Sequence, residues 1–146
     1  GDGLANYDAG VQSAIKQIKL PYRKNGGSGG TNQSGANGLS CKIFLLSVHE
    51  VGWTASDQSN FQVDGAKLSY FESGNGSSAQ QKRIGKLGGS STIWWLRSPL
   101  IRNTNSVHIV DSNGGYGNGS ASRSFGLRPA LILPYDFTFQ ESEVAA

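Results

Sequence analysis

Residues 94–134 read WWLRSPLIRNTNSVHIVDSNGGYGNGSASRSFGLRPALILP, a run with two unlike textures. Its ends are apolar and stiffened by proline, while its middle scatters Leu100, Ile101, His108 and Tyr116 among Asn, Ser, Gly and Arg. Trp94 and Trp95 are adjacent in a β-rich segment, so they point to opposite faces: one anchors a core and its neighbour faces a second layer or a ligand. SVHIVDS, residues 106–112, reads as a strand closed by Asn113-Gly114, a pair that tolerates the positive φ of a tight turn. The last two strands then form a hairpin whose Gly-rich return need not be regular. From Ser91 onward the reading is β throughout, through SFGLRPALILP to a further strand in YDFTFQ, residues 135–140.

Upstream, Leu4, Tyr7, Val11, Ile15 and Ile18 recur at helical spacing, with Asp2 or Asn6 as cap and Pro21 as stop, which predicts one amphipathic helix. Residues 25–38, NGGSGGTNQSGANG, are too rich in Gly and Asn to bury anything and read as a mobile loop; they lack the order of a phosphate-binding loop. Cys41 to Trp53 is a β-rich apolar run. Asp64 is expected to cap a short helix burying Leu68 and Phe71, ended by a Gly-rich stretch, and KRIGKL at 82–87 is expected to be extended. The fold class is therefore α+β, one domain over residues 1–146, with early helices packed on late antiparallel strands.

At 146 residues the chain is long enough for one core, removing roughly 70% of its unfolded surface from water. Thirteen Lys and Arg against ten Asp and Glu give +3, dispersed along the chain, so no nucleic-acid partner is expected. No apolar run approaches the ~20 residues of a membrane span, and membrane insertion is not expected. Cys41 is the one cysteine, which excludes an internal disulfide framework and a multi-thiolate metal site. It reads as a small buried apolar side chain rather than a reactive thiol. The absence of methionine suggests a fragment or a processed chain.

Arg97 and Arg128 sit in LRSP and LRPA, framed by apolar residues, and are expected to tie loops to carboxylates or carbonyls, with Glu50 and Asp64 as candidate partners; anion recognition is the alternative. His49 and His108 have no partner at metal-ligand spacing. Ser47, His49 and Glu50 carry the letters of hydrolase chemistry, but such close neighbours in one strand alternate faces, and no nucleophile elbow is present. DSNGGYGNGSAS begins like a calcium loop yet places Gly115 and Ser122 where oxygen ligands are required. No catalytic residue, metal or cofactor is expected.

The ordered series GANGLSCKIFLLSVHEVGW, DGAKLSYFESGNG, KRIGKL, WWLRSP and FGLRPALILP resembles an uncharacterised domain family of Firmicute genomes and their phages, carried on tail or surface proteins. That family is similar to the formylglycine-generating-enzyme branch of the C-type-lectin fold. The resemblance implies a C-type-lectin-like domain that begins upstream of Leu4, and it extends to target proteins of diversity-generating retroelements, whose surface residues are varied through template adenines. Its aerobic oxidase relatives bind copper through paired cysteines, which Cys41 alone does not match. The calcium motifs of sugar-binding lectins do not occur here either.

On this reading Trp94, Trp95, Arg97 and Arg128 are framework, and the variable-like region 91–125 displays Ile93, Leu100, Ile101, Arg102, Asn103, Asn105, Ser106, His108, Tyr116, Asn118 and Arg123. Their chemistry suits contact: aromatic area, donors and exposed apolar groups. The expected function is a non-enzymatic ligand- or receptor-binding module on a phage tail or a cell surface, located in a virion or outside the cell. Its partner would be a host-surface protein or glycan. The alternative is a structural virion or surface assembly domain, a homo-oligomer whose exposed face is a subunit interface. In this division, Tyr116→Ala leaves the fold intact whereas Trp95→Ala unfolds it.

Overall fold

The computed structural model describes residues 8–23, 32–54, 64–101 and 103–138. In chain order these contain α1 (Ala9–Ala14), β1 (Ile18–Leu20), β2 (Tyr22–Arg23), β3 (Asn32–Gln33), β4 (Leu39–Cys41), β5 (Phe44–Leu45), α2 (Ser77–Arg83), β6 (Gly85–Leu87), β7 (Ser90–Thr92), β8 (Trp94–Pro99), β9 (Ser106–Val110), β10 (Tyr116–Ser120) and β11 (Pro129–Ala130). The architecture is a mixed α+β one of small antiparallel sheets with few helices. β10, β9 and β8 form a three-stranded sheet, and β1–β4, β2–β3, β5–β11 and β6–β7 pair as ribbons.

The quoted stretch does organise the fold. β8 alternates: Trp94, Leu96 and Ser98 are buried while Trp95, Arg97 and Pro99 are partly covered. Trp94 joins Leu46, Val48, Val51, Trp53 and Val110 in the main core, and its indole N–H donates to the Arg83 carbonyl at 2.9 Å. Trp95 faces the other way, its ring 4.8 Å from that of Phe125. Between Trp95 and Pro99 the register shifts, because β8 advances that far while β9 advances only from Ile109 to Val107. On its opposite edge β8 bonds other segments: Arg97 N–H donates to Leu46 O and Trp95 N–H to Gly126 O.

The expected turn is present. Asp111 Oδ1 accepts from the amides of Asn113 and Gly115, and Gly114 adopts φ 81°. A Cβ there would also lie 2.0 Å from the Gln80 carbonyl, so the hairpin tip is docked against α2. The Gly-rich return is more regular than the sequence suggests, pairing in register from Tyr116↔Val110 to Ser120↔Ser106. Its glycines make room rather than disorder: a side chain at Gly119 would meet Phe125 at 2.7 Å.

Other expectations are corrected. The amphipathic helix is confined to Ala9–Ala14 and capped by Asp8; Leu4 and Tyr7, like the proposed caps Asp2 and Asn6, lie outside the described residues. Val11 and Ile15 are buried as the pattern requires, but Ile15 turns extended and Ile18–Leu20 pairs with β4 instead of continuing the helix. Helical and strand periods agree over so short an apolar series, and the strand pairing wins. Residues 32–37 of the supposed mobile loop form β3 and a 3-10 turn, while residues 25–31 lie outside the described set.

Asp64 caps no helix: the segment after it is turns, Phe71 is buried and Leu68 is exposed. The helix comes one motif later, in SSAQQKR, where a Gly-rich lead-in hides its start. KRIGKL splits between the end of that helix and β6. Helices thus do not all precede strands, and residues 135–138 of YDFTFQ form no strand.

Of the two framework tryptophans, it is Trp94 that is buried in the core, while Trp95, whose replacement was expected to unfold the domain, is only partly covered. Trp94→Ala is expected to lower unfolding free energy by about 3–5 kcal/mol, as for a buried large-to-small change. Trp95→Ala should cost clearly less, since its ring is only partly covered. Urea unfolding of the two variants checks the order.

Candidate recognition face and the polar hub behind it

Arg97 stands at the centre of a buried polar hub. Its Nη1 and Nη2 donate to Glu50 Oε2 and Oε1 at 2.5 and 2.7 Å, a two-point fork. The same guanidinium donates to the carbonyls of Pro21, Leu45 and Asp64. Glu50 and Asp64, singled out as candidate partners, are both engaged, one by its carboxylate and the other by its backbone. Arg128 differs from the expectation, because its guanidinium lies over the rings of Trp94 and Phe71 at 5.0 and 5.6 Å instead of on a carboxylate.

This hub also disposes of the hydrolase letters. Ser47 to Gly52 is a tight turn rather than a strand, in which Ser47 Oγ accepts from Glu50 N–H and Glu50 Oε2 accepts from Ser47 N–H. His49 Nδ1 lies 3.3 Å from the Trp53 carbonyl. These groups close a turn and hold Arg97, and the alternation that was expected to separate them does not exist. Cys41 is half-buried at the end of β4; burial pushes its thiol pKa up, opposed by Arg97, which disfavours a reactive thiolate. Among the described residues no group of three His, Cys, Asp or Glu is placed to hold a metal.

Asp64 accepts from Ser98 Oγ at 2.8 Å, while its buried Oδ1 has no hydrogen-bond partner. Burial raises its pKa above the ordinary 3.8, and the Ser98 hydrogen bond and Arg97 only partly oppose this. A carboxyl with a raised folded-state pKa contributes stability that is fully present below its unfolded value and is lost as pH rises through the folded one. The stability of Asp64→Asn relative to the unmodified chain should therefore grow as pH rises from the ordinary aspartate value, then level off. Denaturant melts from acid to neutral pH measure this, and a pH-independent difference would contradict it.

The displayed residues fall into distinct places. β8 and β9 are joined by residues 100–105, and β10 leaves into residues 121–124. The two connections meet through Ala121 N–H donating to Asn105 O at 2.9 Å. Asn103, Asn105 and Arg123 are exposed there, with Leu100, Ile101 and Ser106 partly covered. Asn118 is exposed on β10, opposite His108. Ile93, partly covered, lies at the far end of β8, and its carbonyl accepts from Gly126 N–H. Arg102 lies outside the described residues.

Two of the expected face residues belong to the frame. His108 is fully buried, on the core side of β9. Tyr116 packs edge-on against Trp53, centroids 5.4 Å apart, with its hydroxyl 3.5 Å from His108 Nε2; burial raises its pKa to about 12. An irregular composition concealed this, because polar aromatics suit both a displayed loop and a core edge. Tyr116→Ala should lower stability by roughly 2 kcal/mol, less than a fully buried aromatic, whereas Asn118→Ala should stay within about 0.5 kcal/mol of the parent. Calorimetric melts of both variants compare them directly.

Arg83 was missed by the sequence reading. It is fully buried, stacked 3.9 Å from the Trp53 ring centroid, and donates to the carbonyls of Val51, Glu72 and Gly74. Because its acceptors are backbone atoms, no side-chain pairing could have revealed it.

A family model described as a domain of unknown function, DUF6273, matches residues 1–135. No curated protein and no solved structure matches the chain.

Proposed function

The chain belongs to the DUF6273 family, and we propose that it is a non-enzymatic recognition module whose binding face is the surface formed by residues 100–101, 103–106 and 118–123. The observation that carries this reading is the Ala121–Asn105 hydrogen bond, which joins two connections into one exposed surface at the edge of a sheet. Behind that surface β8 is fixed by the Arg97 fork and by Trp94. Leu100 N–H also donates to Ser106 O, which closes the connection at its base. Backbone bonds and the Asn103 side chain, which accepts from Asn105 N–H, hold the surface in shape, so the other outward side chains are replaceable at small conformational cost.

The reading includes a C-type-lectin-like scaffold, display on a phage tail or cell surface, a host protein or glycan as partner, and diversification by a retroelement. The resemblance in the motif series supports these parts. The face is narrower than the residue pattern alone suggests: Leu100, Ile101, Asn103, Asn105, Ser106, Asn118 and Arg123 remain in it, while His108 and Tyr116 move to the frame and Ile93 to the opposite end of β8.

Saturation mutagenesis with a protease-resistance readout tests the division without knowledge of the ligand. Positions 100, 101, 105, 118 and 123 should accept most residues with stability changes within about 0.5 kcal/mol; positions 94, 97, 108 and 116 should accept few. Equal intolerance of both sets would contradict the reading. The encoding DNA tests diversification: a near-copy of the codons for Ser91 to Pro134, differing where the copy carries adenine, is expected beside a reverse-transcriptase gene. Sedimentation should give a monomer, and an oligomer that protects Leu100 and Ile101 would favour assembly instead.

A further inference from the structure

Away from the proposed recognition face, the β6–β7 ribbon and the segment leading into β11 enclose a cleft of about 290 Å³. Lys86, Leu87, Thr92, Trp94, Leu127 and Arg128 are among its walls, and no lining residue is acidic. Leu87 and Leu127 are 72% and 68% exposed, unusual for leucines that flank a cavity. Arg128 is partly buried against the two aromatic rings of Trp94 and Phe71, and its Nη1 is buried without an acceptor.

From this cleft we infer a binding site for a small organic carboxylate with an apolar body, such as the carboxyl end of a leucine-like residue. The charge argument comes first. A guanidinium withdrawn from water beside two rings is short of acceptors, and a carboxylate matches its planar fork at two points. Lys86 in the same wall adds a second positive charge, and no wall carboxylate competes for either. The shape argument is independent: exposed leucines at the cleft offer apolar contact to the ligand's body.

The volume lies near the lower end of the roughly 300–1,000 Å³ range of small-molecule sites, which suits a single amino-acid-sized group. A phosphate would instead be expected among several backbone N–H donors at a glycine-rich turn. A free acylated amino acid and a peptide end share the chemistry that the cleft recognises. The site lies at the opposite end of β8 from Leu100 and Asn105, so it neither depends on the proposed recognition face nor fails with it.

Titration of the full chain with N-acetyl-leucine, followed by amide NMR, tests the site. Saturable shifts are expected at Gly85 to Leu87 and Gly126 to Arg128, with millimolar affinity. N-acetyl-leucinamide, which lacks the charge, should bind at least about tenfold more weakly, and so should the acid to Arg128→Gln. Lys86→Gln, at an exposed strand position, keeps the test independent of any folding defect in the Arg128 variant and should weaken binding about threefold. The Ala-Ala-Leu peptide distinguishes the sources: tighter binding than N-acetyl-leucine assigns a peptide end, equal binding a free acid. No saturable shift, equal binding of the amide, unchanged binding by both variants, or stronger binding of glucuronate than of N-acetyl-leucine would overturn the inference.

Discussion

The Arg97 guanidinium meets Glu50 with its fork and the carbonyls of Pro21, Leu45 and Asp64 with its remaining donors. Those acceptors belong to the β1–β2 connection, β5, the turn before Trp53 and the segment after residue 63, which share no continuous sheet. A buried ion pair of this kind adds little net stability compared with apolar packing, because both charges must first leave water. Its effect is on arrangement: only one disposition of these segments satisfies every donor, and a misplaced segment would leave a charge or a carbonyl stranded. The register shift in β8 lies at the same place, between Trp95 and Pro99.

Arg83 does for the opposite side of the core what Arg97 does for this one. Its donors fasten the carbonyls of Val51, Glu72 and Gly74, its plane covers Trp53, and its own carbonyl receives the Trp94 indole N–H. The core between them is small, with Trp53 and Trp94 among its largest fully buried side chains. In so limited an apolar volume, and with most sheets only two strands wide, backbone carbonyls at ribbon ends and turns lack ladder partners. Arginine supplies several donors from one planar group and satisfies them together. The two hubs therefore compensate for what a chain of short strands cannot provide through regular pairing.

What the sequence made legible follows from the same physics. Opposite facing of Trp94 and Trp95, the turn at Asn113-Gly114 and the pairing of Arg97 with Glu50 each rest on local geometry or on complementary charge, and both can be read from residue type and spacing. Arg83 could not be read, because carbonyl acceptors have no sequence signature. The first helix was overextended because Ile15 and Ile18 fit either period, and the choice lies with a strand, Leu39–Cys41, far along the chain. The face was drawn too wide for a related reason. His108 and Tyr116 occupy core-side positions on β9 and β10 only in the observed register, Tyr116↔Val110, and a slip of one residue would turn both outward.

That dependence on register shows how the frame limits what its surface can vary. On one side of the hairpin His108, Val110 and Tyr116 face the core, so substitution there is paid in stability, although Asn118 on the same side is exposed; on the other side Gly117 lies against Ile109 and Gly119 leaves room for the Phe125 and Trp95 rings. Neither side of the hairpin is free over its whole length. Apart from exposed Asn118, freedom is found where pairing ends, in the connection after Pro99 and the exit after Ser120, and these touch through a backbone hydrogen bond that specifies no side chain. Such a bond holds two loops together while leaving Asn105 and Arg123 unconstrained in identity. A surface of this construction keeps most of its shape when its chemistry changes, Asn103 excepted, whose side-chain oxygen accepts from Asn105 N–H and so helps to set the turn.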